Sequence, residues 1–316
     1  MNCHQRKYLS SSVLAITAFG ALLLCNPSPG LAVAILGDQL ATFAVLGAST
    51  VTNTGATTLG GNLGVGPGTS ITGAGTITLT GVIHQTNEFA GLAQGQLTTA
   101  ITNLGNLGAG TLITSPGSVD LAGLTLNPGV YTVNAGTSNL TGTLTLDGLG
   151  NANAAWVFQM PSTLITSPGS VVNVINTGAG AGVFWNVGSS ATLDTTTSFH
   201  GNILALTSIT LNTGATIGCG SALADTGAVT MDTNTIGGGC GTGTGGEGSN
   251  SLSGGLTVPV GGGTPTFLPF ASVGGVVGAP EPTSLLLIGT GLVGLVFAVR
   301  RRKPSAGRHA VDELPA

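Results

Sequence analysis

The sequence predicts an all-β chain, an irregular β-solenoid of short strands wound into stacked coils, with one long α-helix packed alongside. Three observations predict it. Apolar and hydroxyl residues alternate in Thr76-Ile77-Thr78-Leu79-Thr80, Thr143-Leu144-Thr145-Leu146 and Ser208-Ile209-Thr210-Leu211. Period two in such residues is the pattern of half-buried strands. Pro-Gly pairs at 67–68, 116–117, 128–129 and 168–169 punctuate the alternation, and Gly supplies the positive φ of a type II turn. Finally, Thr111-Leu112-Ile113-Thr114-Ser115-Pro116-Gly117-Ser118-Val119 recurs letter for letter at Thr163 to Val171, 52 residues on. Repeats built of strands and Gly turns suggest stacked coils. A β-sandwich with coincidentally similar turns is the competing reading. The repeats are unequal, so the coils are expected to be irregular.

The helix is expected over 86–107. Phe89, Leu92, Ala93, Leu97, Ala100, Ile101, Leu104 and Leu107 recur at helical spacing, with Thr86 or Asn87 as N-cap and Glu88 in the first turn. Gly91 and Gly95 weaken it, each by about 1 kcal/mol relative to Ala. Such a helix would cover one buried side of the coils.

Charge is confined to the ends. Of 316 residues 6% are charged, and the seven Lys and Arg residues are Arg6, Lys7, Arg300, Arg301, Arg302, Lys303 and Arg308. Nucleic-acid binding needs cations to neutralise phosphates, and the body has none. Phosphate recognition loses its usual clamps for the same reason. Low charge with high hydrophobicity excludes charge-driven disorder. The 55 Gly residues lack the one-in-three period of collagen.

Both ends read as addresses. Arg6 and Lys7 precede an apolar run from Val13 to Leu24, and Ala32-Val33-Ala34 supplies a small-x-small cleavage pattern. Residues 1–34 are therefore expected to be a secretory signal peptide. At the other end, Pro280-Glu281-Pro282 precedes an apolar stretch from Leu285 to Val299, closed by Arg300-Arg301-Arg302-Lys303. Physically this is a short membrane segment with a positive stop. The order of triplet, apolar run and basic cluster resembles the PEP-CTERM sorting signal. That resemblance implies recognition by an exosortase-type membrane peptidase, export and surface delivery, with transient membrane contact through 283–299. The tail 304–316 is longer than the signal requires, and an ordinary single-span anchor is the alternative. Residues 241–278, rich in Gly and Ser, read as a flexible stalk. This leaves 35–240 as the folded domain, 241–278 as linker and 279–303 as sorting segment. Cys219 and Cys240 remain after leader removal and suit a disulfide in an oxidising compartment. Its closed loop of about 20 residues would contribute roughly 3 kcal/mol.

Thr42-Phe43-Ala44-Val45-Leu46-Gly47-Ala48-Ser49, Leu126-Asn127-Pro128-Gly129-Val130-Tyr131, Ala155-Trp156-Val157-Phe158-Gln159-Met160, Val183-Phe184-Trp185-Asn186 and Phe199-His200-Gly201-Asn202-Ile203-Leu204-Ala205 together resemble the microbial ice-binding-protein family. The resemblance spans residues 38–236. It implies a right-handed, discontinuous β-solenoid of triangular section with a helix alongside. It also implies an ice-binding surface marked by Thr, then Ala or Gly, any residue, then Thr or Asn. Thr54-Gly55-Ala56-Thr57 and Thr213-Gly214-Ala215-Thr216 match that motif, whereas Thr230-Met231-Asp232-Thr233 departs at its second position and carries an acid at its third.

Thr suits such a surface because its χ1 is stiff, its methyl is apolar and its hydroxyl can hold ordered water. Most Thr residues in the chain are explained by β-propensity alone. The expected partner is ice or its ordered water layer, with no cofactor, no metal and no bond-making. The acids of the body are scattered singly, and single acids at turns are usually structural. His84 and His200 lack a Ser or Cys constellation, and His200 beside Gly201 reads as a turn or core histidine. A surface protein of the exopolysaccharide matrix, without ice activity, is the runner-up. Trp156, Trp185, Phe158 and Phe184 could stack on sugars, but each lies in an alternating strand that favours the core.

Overall fold

A computed structural model describes residues 32–114, 118–134, 136–237, 252–260 and 262–273. Twenty-five short strands form three parallel sheets of nine, eight and eight strands. Each coil of chain gives one strand to each sheet in turn. The first coil runs Phe43–Gly47 on face a, Thr50–Thr54 on face b and Thr57–Leu59 on face c. The second runs Asn62–Val65, Ser70–Thr72 and Ile77–Leu79, and Ile83–Gln85 starts a third on face a. There helix α1, Glu88–Gly105, interrupts the winding. Six more coils follow, from Thr111–Thr114 to the coil formed by Ala222–Ala224, Val229–Asp232 and Thr235–Ile236. That last coil pairs with the first, through Val45 with Ala222, Thr52 with Thr230 and Thr58 with Thr235. The stack is therefore continuous in space and discontinuous in sequence.

The helix makes this possible by carrying the chain back along the stack. Nine strands on face a span eight spacings, about 38 Å, and 18 helical residues cover about 27 Å. The match is local as well as global. Gln94 Nε2 donates to Ala224 O at 2.9 Å, Asn186 Nδ2 donates to Ile101 O at 3.3 Å, and Gln159 donates to Leu104 O. Seven residues of helix rise about 10.5 Å. The strands of Ala224 and Asn186 are two spacings apart, about 9.6 Å.

Alternation sorts the side chains. Inward residues form a core threaded by stacked rings: Tyr131 lies on Phe158 at 5.7 Å, Phe158 on Trp185 at 4.0 Å, and Trp185 meets Phe199 at 4.8 Å. All four are buried. The outward side of face a is buried too, because Phe43, Leu46, Val157, Phe184, Leu204 and Leu223 pack against Ala93, Leu97, Ala100 and Leu104 of the helix. Faces b and c keep their outward sides open.

Asn87 caps the helix, its side chain accepting from Ala90 N at 2.9 Å. Leu92, expected on the apolar face, is exposed. The flexible stalk expected over 241–278 is corrected in part. Residues 252–260 and 262–273 form a strap along the corner between faces c and a. Leu252 O accepts from Val183 N, Ala181 O accepts from Gly254 N, Ala271 O accepts from Ala152 N, and Gly150 O accepts from Val273 N. A Cβ on Gly182 would lie 1.9 Å from Gly254 O, so both chains must be bare there. Gly and Ser thus serve close backbone approach here, and the strap's own Leu252 and Leu256 are buried. Leu256–Pro259 also pairs antiparallel with Ala32–Ala34, residues expected from the sequence to belong to the leader.

Cys219 is buried and disulfide-bonded, while Cys240, the partner expected from the sequence, lies outside the described residues. So do 1–31 and the sorting segment 279–303. Among the described residues no helix is long and apolar enough to cross a membrane.

Candidate functional site

Face b presents a regular outer surface. Strand pairing places Thr192, Thr210, Thr230, Thr52 and Thr72 in one rank across five adjacent coils. Their inward neighbours Ala191, Ile209, Val229 and Val51 are buried, so alternation turns the threonines outward. None of the five hydroxyls is bonded to another group among the described residues. Beside them runs a second rank, two positions earlier on each strand: Ser190, Ser208, Ala228, Thr50 and Ser70. Ser190 Oγ accepts from Ser208 N at 3.3 Å and Ser208 Oγ accepts from Ala228 N at 3.1 Å, so these serines tie coil to coil. The result is an uncharged lattice two residues wide and five coils long. Its spacings are about 4.8 Å across strands and 6.7 Å along them.

The corner between faces b and c borders this lattice, and the two matched motifs lie there. Thr54 and Thr213 are exposed, on coils separated only by the coil of Thr230 and Thr233. Identical letters nevertheless take different places. On face b, Leu211 is level with Met231 and Asn53; on face c, Thr216 is level with Thr235 and Thr58. Thr213 therefore aligns with Gly55, and Thr216 with Thr58. The copies sit one residue out of register, and one residue turns a strand side chain over. Thr57 is accordingly buried: its hydroxyl donates to Asn53 Oδ1 at 2.6 Å and accepts from Asn234 N at 3.1 Å. Ala215 is buried as well, and Thr216 is half-buried with Oγ1 donating to Thr197 O at 3.3 Å. Thr57 and Ala215 are thus corrected from surface to core. Thr58 takes the outward place on face c, in a rank with Thr78, Thr235 and Thr216.

Thr230 and Thr233 are both exposed, but on different elements of the site. Thr230 is central in the face-b rank. Thr233 sits on the corner at φ 56°, its hydroxyl donating to Asp232 Oδ1 at 3.0 Å. Gly55 is its neighbour, and a Cβ there would come within 2.3 Å of Thr233 Oγ1. Gly214 is also left-handed, at φ 73°, one place further along the corner than Gly55. Ala56 is exposed between Gly55 and Thr57.

The acids act as staples between coils. Asp194 accepts from Asn212 Nδ2 at 3.0 Å and from Thr195 N at 2.7 Å, which together hold its carboxyl below the ordinary range. Asp232 also accepts from the Thr213 hydroxyl. Partial burial alone would raise Asp120, but bonds from the Thr141 hydroxyl and the amides of Ala122 and Thr141 outweigh it and leave the carboxyl low. His200 is half-buried, and its Nδ1 meets Val172 O at 2.8 Å; desolvation pushes its imidazole down, with that bond opposing. Trp156, Trp185, Phe158 and Phe184 are fully buried and face no sugar.

Asn53 and Asn234 were not singled out from the sequence. Their buried amides satisfy the corner backbone, with Asn234 Nδ2 donating to Asn212 O and Ala215 O. They flank the corner from opposite sides: Asn53 lies near the end of its face-b strand, level with Met231, and Asn234 lies immediately before its face-c strand.

Fold and surface together define a discontinuous β-solenoid displaying a hydroxyl lattice. Comparison with known proteins agrees. The family model described as "Ice-binding-like" matches residues 45–237, and the PEP-CTERM protein-sorting motif matches 279–303, marking an exported or surface-delivered chain. An ice-binding protein of Nostoc sp. (strain HG1) is 42% identical over 298 residues, 94% of this chain and 96% of the relative. A solved ice-binding protein from an Antarctic biological consortium is 40% identical with a TM-score of 0.56, covering 64% of this chain and 90% of that one. The ice-binding protein of the Antarctic ascomycete Antarctomyces psychrotrophicus is 37% identical with a TM-score of 0.58, covering 63% of this chain and 95% of that one. The chain belongs to the ice-binding-like family.

Proposed function

We propose that this protein binds ice by adsorption through face b, and thereby slows crystal growth and recrystallisation. The observation that carries this is the rank Thr192, Thr210, Thr230, Thr52 and Thr72, whose hydroxyls have no partner among the described residues. A rigid strand grid can order a water layer, and methyl and hydroxyl groups hold it without the disruption a charge would bring. Thr54, Gly55, Ala56, Thr213 and Gly214 form its border at the corner. No covalent chemistry is involved. The relatives' names and the length of the match support the reading.

The same reading includes coils wound right-handedly in a triangular section. Export removes the leader, Cys219 pairs with Cys240, and an exosortase-type peptidase acts near Pro280-Glu281-Pro282. Contact with the membrane through 283–299 is transient.

Ice recrystallisation by the purified protein tests the function. Crystals that coarsen as in buffer alone would end it. Thr52→Tyr combined with Thr210→Tyr should abolish most activity, and Thr54→Tyr with Thr213→Tyr should reduce it less. Full activity in the first pair with loss in Thr58→Tyr would move the site to face c.

A further inference from the structure

Face b explains one side of the molecule; the strap raises a question about the opposite one. Of the twelve large apolar side chains exposed among the described residues, Val260, Phe267, Phe270 and Val273 belong to the strap. A fifth, Leu149, adjoins it, since Gly150 O accepts from Val273 N. Phe270 is 65% exposed and Leu149 60%, the latter at φ 53°, a backbone region that bulky residues rarely enter. No charged residue lies between Glu247 and Glu281. An uncharged surface with exposed aromatic side chains is unusual on a soluble face and marks a contact site.

The chain beyond the strap indicates what covers it. The sorting motif begins at residue 279, six positions after Val273, and the apolar run begins at Leu285. Twelve residues reach at most about 40 Å. Any membrane holding Leu285–Val299 therefore lies within reach of the exposed strap. Exposed Phe and aliphatic side chains on an uncharged segment can bury into the boundary between headgroups and acyl chains.

We infer that the strap, through Phe267, Phe270, Val273 and Leu149, seats on the lipid surface while the sorting segment is attached. The topology then fixes orientation. The strap follows the corner between faces c and a, as its bonds to Gly150, Ala152, Ala181 and Val183 show. With three faces visited in the order a, b, c, that corner is the one face b does not touch. Seating the strap turns the Thr lattice away from the cell. The seating stands without the ice reading; only the value of that orientation rests on it.

Two single-site reporters in the full chain test this, using phosphatidylcholine vesicles with and without brominated acyl chains. Phe270→Trp places an indole on the strap, and Thr230→Trp places one on face b. Trp156 and Trp185 are fully buried and give a constant background. The strap indole should shift to the blue and lose at least half of its own emission in brominated vesicles, while the face-b indole keeps its emission. A chain that stays out of the vesicle fraction, a bound chain whose strap indole is unquenched, or equal quenching at both positions overturns the inference. None of these outcomes bears on recrystallisation, so failure of one reading is separable from failure of the other.

Discussion

The two copies of the nonapeptide meet opposite surroundings. In the first, Thr111–Thr114 is the edge strand of face a, Leu112 points outward and is exposed, and Ile113 turns toward the core. In the second, Thr163–Thr166 lies on face b, Leu164 is fully buried and Ile165 faces solvent. The end of the motif inverts in the same way: Val119 is buried inside face b, whereas Val171 is half-buried on the outer side of face c. The coil period explains this. Two coils on from Thr111 lies Phe158, 47 positions later and still on face a. An offset of 52 overshoots onto the next face with opposite parity. Identical letters specify a strand, a turn and a strand, but not which side of either strand meets the core.

The largest expected effect breaks this pair directly. Leu164→Ala should lower stability by about 2–5 kcal/mol, as buried leucines do. Leu112→Ala should stay within about 0.5 kcal/mol. Denaturant titration of both variants checks it, and equal losses would contradict the inversion.

Next comes the pair of corner glycines in the two matched motifs. Gly55→Ala combines a left-handed backbone with a contact on Thr233 Oγ1, and should cost about 2 kcal/mol or more. At Gly214 the nearest atom to an added Cβ is 3.7 Å away, so strain alone remains, about 1 kcal/mol. Thermal melts should rank them in that order.

Thr57 and Thr58 sharpen the register argument. Thr57→Val would strand Asn53 Oδ1 and Asn234 N in the core, a loss of about 1–3 kcal/mol. Thr58→Val should change stability by less than about 0.5 kcal/mol. If Thr57→Val retains stability but loses ice activity, Thr57 faces outward and the register between the two motif copies is wrong.

The smallest effect concerns His200, a half-buried residue between a face-c strand and a face-a strand. Its imidazole titrates below the ordinary 6.5 because burial disfavours the charged form. The unfolded chain then takes up a proton first as the pH falls. Stability present above about pH 6.5 is lost as pH drops toward the lower folded-state value. Melts between about pH 8 and pH 5 should show a falling Tm that His200→Asn flattens. Parallel curves would assign the slope elsewhere.

Much of this was legible beforehand. Period two located the strands Ile77–Leu79 and Thr143–Asn151 on face c and Ile209–Leu211 on face b, and helical spacing located α1 to within two residues of each end. The buried aromatics and the turn histidine followed from the same alternation. Two things were not legible. The strap was hidden because Gly and Ser read as flexible, whereas here their bareness lets two backbones approach. The site was shifted because motif letters were overlaid without the strand ladder: Thr57 went inside, and the rank Thr52, Thr72, Thr192, Thr210 and Thr230 carries no motif along any single strand.

By itself the sequence determined the elements: short Thr-rich strands, tight Gly turns, one helix, and a body free of basic charge. Each follows from local propensity and composition. Tertiary structure alone decided which threonines share a rank. Residues 43–59 meet 222–236 only because the helix returns the chain along the stack. That juxtaposition joins Thr52 and Thr72 to Thr230, Thr210 and Thr192. A strand's parity belongs to its pairing with neighbours, and neighbours distant in sequence cannot be read from a local pattern.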